Sequence, residues 1–196
     1  MLLIVGALAT AAVLAAPAAA GPTDTPGFSK AFSCSACHGR GGAARGDVVP
    51  VLAGMPTWYF KKAIEDYAAG RRPSPEMEPF SKMVKTLGVD EIAGYFAAQP
   101  RAASPIKVDS ASVAKGRTAS TVCASCHGAD GRGDQSKGTP DLTGQPPGYL
   151  LNQMKLFKAE KRSPGDASLS AVKAAMKTLD DAALADIAAY YSSLGR

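Results

Sequence analysis

Histidine and cysteine are scarce in this sequence, two and four residues among 196, so metal or thiol chemistry is confined to wherever those six residues sit. Alternating β-branched runs bounded by turns are nearly absent, which excludes a strand-built fold. Past residue 20 no apolar stretch is long enough to cross a bilayer. Lys and Arg outnumber Asp and Glu by 22 to 17, yet they form neither a block nor a basic helix interleaved with aromatics. Nucleic acid is therefore not an expected partner. No carboxylate cluster is recognisable and no histidine is left over for acid–base work, so the chain does not read as an enzyme.

What the sequence does contain is one pentapeptide pattern written twice. Cys34-Ser35-Ala36-Cys37-His38 and Cys123-Ala124-Ser125-Cys126-His127 use every cysteine and every histidine. C-x-x-C-H is the attachment sequence of a c-type haem. Two thiols three positions apart can each join one vinyl group of the same porphyrin, and the next histidine falls under the iron. A thioredoxin-type motif wants a βαβ setting and has no use for a histidine repeated after it. Zinc pairs stand roughly 15 to 20 residues apart, whereas 85 residues separate Cys37 from Cys123 here. Structural disulfides leave both histidines unexplained. The expected cofactors are two covalently bound haem c groups, with Cys34, Cys37, Cys123 and Cys126 as anchors and His38 and His127 on the irons.

Residues 1–20 are almost wholly apolar and end in Ala18-Ala19-Ala20, which fits a secretory signal peptide cut after Ala20 and a periplasmic location. The usual basic residue near the start is missing. Kept instead of cut, the segment could just span a bilayer and hold the protein at a membrane surface.

The rest divides by an internal repeat. Gly27 and Gly116 each lie seven residues before a first cysteine, and Val51-Leu52-Ala53-Gly54-Met55-Pro56 is answered by Asp141-Leu142-Thr143-Gly144-Gln145-Pro146. Helical spacing follows in both halves, at Ile64, Tyr67 and Ala68 and at Leu150, Met154 and Phe157. Each half ends in an amphipathic run that starts with acidic residues, Asp90-Glu91 or Asp180-Asp181, as a helix N-terminus favours. Between them Gln99-Pro100-Arg101-Ala102-Ala103-Ser104-Pro105 argues for an extended linker. The expected domains are 21–100 and 108–196, joined by 101–107. Each is too small for a side-chain core alone, so the haem-free chain is expected to be unfolded or molten.

With these residues in view, each half resembles a class I cytochrome c, and the whole resembles the dihaem cytochrome c4-like family. The resemblance implies an all-α fold of two tandem domains, each wrapped around one haem. It also implies that a helix containing Gly27 or Gly116 crosses the last helix of its half. A methionine is implied as sixth iron ligand, a soft donor that raises the potential. In the second half Met154 reads as core filler and Met176 as the ligand, although Met176 is displaced from the usual position and an open or water-bound iron is the alternative. In the first half, Met55 falls in a turn. Aligning the terminal aromatic pairs selects Met77, while aligning Lys85-Thr86-Leu87 with Lys177-Thr178-Leu179 points to Met83; Met77 is preferred.

The expected function is a periplasmic electron carrier between a dehydrogenase or quinol-oxidising cytochrome complex and a terminal oxidase. Alternatives are the cytochrome subunit of a sulfur-compound, sulfite or alcohol dehydrogenase, and a haem peroxidase or ligand sensor. Arg71-Arg72 and Lys161-Arg162 recur in the repeat and are candidates for haem propionates, against the plainer role of solvated helix ends. The net charge of +5 suggests docking to acidic redox partners.

Overall fold

The computed structural model describes residues 21 and 23–195; the leader expected over 1–20 lies outside them. The described chain is helical. The first half comprises α1 (Phe28–Ala31), α2 (Ser35–His38), α3 (Thr57–Ala68), α4 (Met77–Leu87) and α5 (Val89–Ala97). The second comprises α6 (Ser110–Ala119), α7 (Ala124–His127), α8 (Pro147–Lys158), α9 (Ser170–Lys177) and α10 (Asp181–Ser193), with short 3₁₀ turns between. One isolated bridge, Asp134 to Thr139, is the only β pairing among the described residues.

The repeat sets the local geometry. Pro56 and Pro146 precede α3 and α8 with the same backbone angles, φ −58° and ψ 137°. A proline there fixes φ and blocks helix extension towards the N-terminus. Asp180 caps α10 by accepting a hydrogen bond from the Ala183 N–H at 2.7 Å. Ile92 and Phe96 on α5, with Phe60 and Ile64 on α3, form the first core, and the Phe60 and Phe96 rings lie 5.6 Å apart. Tyr149 and Leu150 on α8, with Ile187, Tyr190 and Tyr191 on α10, form the second. Burying each such side chain contributes about 1.5 to 3 kcal/mol.

The halves differ at their first helix. In the second, α6 runs through Gly116 and crosses α10 so closely that a Cβ on that glycine would meet the Asp186 carbonyl and the Tyr190 Cβ. In the first, Gly27 makes the equivalent approach to the Glu91 carbonyl and Tyr95. It does so as the left-handed N-cap of the single turn α1, at φ 86°, and not from inside a helix. Pro26 stands directly before it and pushes Thr25, the residue ahead of the proline, out of the helical region, so no helix enters Gly27 from its N-terminal side.

Residues 101–109 carry no helix, as their prolines suggest, but they are stitched down. Arg101 pairs with Asp141 at 2.6 Å and bonds to Thr143, and the Ser104 N–H donates to the Gly144 carbonyl at 2.7 Å. Farther out, Gln145 makes a two-way bond with the Val51 backbone, accepting at 3.0 Å and donating at 2.9 Å. Asp47 accepts from the N–H groups of Gly148 at 2.8 Å and Tyr149 at 2.9 Å. The two repeats thus share a polar seam.

Candidate haem-attachment sites

Each attachment motif is a single helical turn with a glycine exit. α2 ends at Gly39 (φ 74°, ψ 169°) and α7 at Gly128 (φ 78°, ψ 160°), angles that admit glycine readily and carry the chain sharply away. The returning chain then meets the histidine. His38 Nδ1 lies 2.9 Å from the Pro50 carbonyl, and His127 Nδ1 lies 2.9 Å from the Pro140 carbonyl. A carbonyl only accepts, so Nδ1 carries the proton and Nε2 keeps its lone pair for a metal. Burial lowers the pKa of both rings, against the opposing pull of the same carbonyls, and keeps them neutral.

The thiols suit the same chemistry. All four are free of disulfides; Cys34 and Cys123 are half-buried, and Cys37 and Cys126 exposed. Burial raises the pKa of Cys34 and Cys123, so these are protonated thiols at neutral pH. Cys34 packs against the first core together with Met55 and Met77. Met77 opens α4, its N–H donating to Ser74 Oγ at 3.1 Å. Met83 is half-buried two turns along the same helix. In the second half, Cys123 and Met154 pack against the second core, while Met176 lies on α9 and is 6% exposed.

The basic pairs split between surface and interior. Arg71 is exposed and bonds Asp66 at 3.0 Å, and Lys161 is exposed too. Arg72 and Arg162 are 1% and 9% exposed, which removes the solvated-end explanation for them. Arg72 Nε and Arg162 Nη1 both donate to Gln153 Oε1, at 2.8 and 2.9 Å. Arg72 also donates to the Tyr149 hydroxyl and lies over the Tyr67 ring, and Arg162 reaches the Tyr59 hydroxyl at 3.4 Å. Neither has a carboxylate partner among the described residues. Burial alone would raise the Tyr59 phenol, but the two guanidiniums outweigh it and bring that pKa down to about 8. For Tyr149 burial prevails and the pKa rises. Sequence reasoning found the arginines and missed Gln153, Tyr149 and Asp47, whose partners lie across the repeat boundary.

A cytochrome c family model matches residues 113–195, the second half. Cytochrome c-552 of Acidithiobacillus ferridurans is 31% identical, over 91% of this chain and 81% of its own. This chain belongs to the class I cytochromes c, of the cytochrome c4-like type. The thiosulfate dehydrogenase electron acceptor of Stutzerimonas stutzeri is 27% identical to this cytochrome over 85% of its chain and 81% of the relative. The crystal structure of reduced recombinant cytochrome c4 from Pseudomonas stutzeri superposes with a TM-score of 0.74 at 26% identity, over 85% of this cytochrome and 95% of that chain. Membership implies covalently bound haem c and a role in electron transfer. The donor set fits: four unpaired thiols and two histidines, each with Nδ1 already engaged, are what that group requires.

Proposed function

We propose that this cytochrome holds one haem c in each half and carries single electrons in the periplasm. Cys34 and Cys37 would anchor the first haem and Cys123 and Cys126 the second, with His38 and His127 offering an imidazole nitrogen to each iron and Met77 a thioether sulfur to the first. The haem supplies an iron that cycles between ferrous and ferric by one electron. The chain orients each imidazole through Nδ1, excludes water with the two cores, and keeps both sites in one body through the seam. Arg72 and Arg162 would neutralise haem propionates by charge-assisted hydrogen bonds, which would account for two buried cations without carboxylates. Residues 21–100 and 108–196 are the two haem-bearing units, with 101–107 between them and 1–20 as a cleaved leader.

The observation that carries this reading is the duplicated histidine-to-carbonyl bond, 2.9 Å in both halves. Intact mass of the exported protein tests it. A chain starting at Gly21 with two added haems, and a redox titration resolving two one-electron components, is the expected result. Colourless protein, or one haem only, defeats it.

A second reading is favoured by the relative named as a thiosulfate dehydrogenase electron acceptor. Here the donor is a sulfur-compound dehydrogenase that forms a complex with this cytochrome. Co-purification of a stable heterodimer from the native source supports it; free cytochrome reduced equally well by a quinol-oxidising complex favours the mobile carrier.

A further inference from the structure

We infer that Met176 is a packing residue, so that the second half presents no thioether to its iron and its sixth coordination position is left for a small exogenous ligand such as carbon monoxide. The inference rests on one haem per half, with Met77 on the first iron, and concerns what stands opposite Met77 in the repeat.

Two registers relate the last helices. Gly27 faces Glu91 and Tyr95 as Gly116 faces Asp186 and Tyr190, and both pairings are offset by 95 residues. The Gly54 N–H donates to the Phe96 carbonyl at 2.9 Å, and the Gly144 N–H to the Tyr191 carbonyl at 3.0 Å, at the same offset. Counted back from there, Met77 corresponds to Val172 and Met176 to Ser81. The burial phase of the preceding helices gives the other register. α4 buries Ser81 and Val84, and α9 buries Lys173 and Met176, an offset of 92. On that count Met77 corresponds to Leu169 and Met176 to Val84.

Both registers agree on the chemistry. The counterpart of Met77 is an aliphatic residue with no donor atom, Val172 or Leu169. The counterpart of Met176 is Ser81 or Val84, which are 0% and 3% exposed on the packed side of α4. Val84 belongs to the first core. Met176 therefore occupies a core position, where a flexible thioether is a common filler.

A longer connection accounts for the slip. Arg72 and Arg162 are equivalent, each N–H bonding to the carbonyl six residues earlier, Asp66 at 3.0 Å and Leu156 at 3.1 Å. α4 begins five residues after Arg72, but α9 begins eight after Arg162, beyond the inserted turn Ala167–Leu169. Other donors are spoken for. Met154 stands where the first half has Ile64, buried in the core, and both histidines are in the attachment motifs. The Lys173 amine is committed to the Ser163 carbonyl at 2.6 Å.

Titration of the fully reduced, two-haem protein with carbon monoxide decides the matter. One carbon monoxide per two haems is expected. The weak thioether band at the red end of the ferric spectrum is expected at half the intensity that two methionine-capped irons would give. It disappears in Met77→Ala and is unchanged in Met176→Leu, which keeps the core filled. Failure to bind carbon monoxide overturns the inference by itself, whether a thioether or the Lys173 amine is responsible. So does loss of the band in Met176→Leu. A haem count below two per chain sinks the underlying reading instead, so the two failures are distinguishable.

Discussion

Arg72 of the first repeat and Arg162 of the second share one acceptor, the side-chain oxygen of Gln153, at 2.8 and 2.9 Å. One neutral amide thereby organises two buried cations from opposite halves. Gln153→Leu keeps the volume and removes the acceptor, leaving two guanidinium N–H groups unpaired. Hydrogen bonds to charged groups contribute about 1.5 to 3 kcal/mol each, so the variant is expected to lose roughly 3 kcal/mol or more. The urea midpoint of the holoprotein measures the loss; an unchanged midpoint would show that the amide is dispensable.

The same arginines set a pH test. Burial pushes the Tyr59 phenol up, and with no other charge nearby the two guanidiniums outweigh it and bring its pKa down to about 8. Propionates held by Arg72 and Arg162 cancel that pull and move the phenol back up. Ultraviolet titration of the holoprotein should therefore find no phenolate step around pH 8. A step there that vanishes in Tyr59→Phe would mean that the arginines are not engaged by carboxylates.

Two helical glycines should respond oppositely to alanine. Gly116→Ala drives a methyl into the Asp186 carbonyl and the Tyr190 Cβ, where backbone has to give way. Overpacking of this kind costs about 1 to 3 kcal/mol or more, and the expected outcome is a large fall in melting temperature with poor haem loading. At Gly94 in α5 an added Cβ meets nothing within 4 Å. There Gly94→Ala should stabilise by about 0.5 to 1 kcal/mol through helix propensity.

Removing one pair of thiols should spare the other site. Cys34→Ala with Cys37→Ala is expected to halve the haem per chain, and Cys123→Ala with Cys126→Ala to do the same. The surviving haem should have a different potential in each double variant, because the histidine settings match while the helices carrying Met77 and Met176 do not. Equal potentials in a redox titration would argue for equal ligation.

Local chemistry made most of this legible. The motifs named their own cofactor through thiol spacing, and the prolines before α3 and α8 marked helix starts. Gly27 departs from what the family resemblance implies, capping a helix instead of lying inside one, because Pro26 keeps Thr25 out of the helix, a local effect that Gly116 does not share. The seam was illegible for a different reason. Asp47 meets Gly148 across 101 positions, and nothing in either segment marks a partner that only the fold brings near. Met176 stands between these cases: on the inference above, a three-residue lengthening of one connection shifts a donor along a helix without altering composition.

The seam between the halves, with Gln145 on Val51, Gly148 on Asp47 and Arg72 on Gln153, has a kinetic corollary. Halves tied in this way should tumble as a single particle, so an electron passing between the two proposed haems would not wait for domains to reorient. Thickening the solvent should slow only collisions with outside partners, while the internal hop keeps its pace.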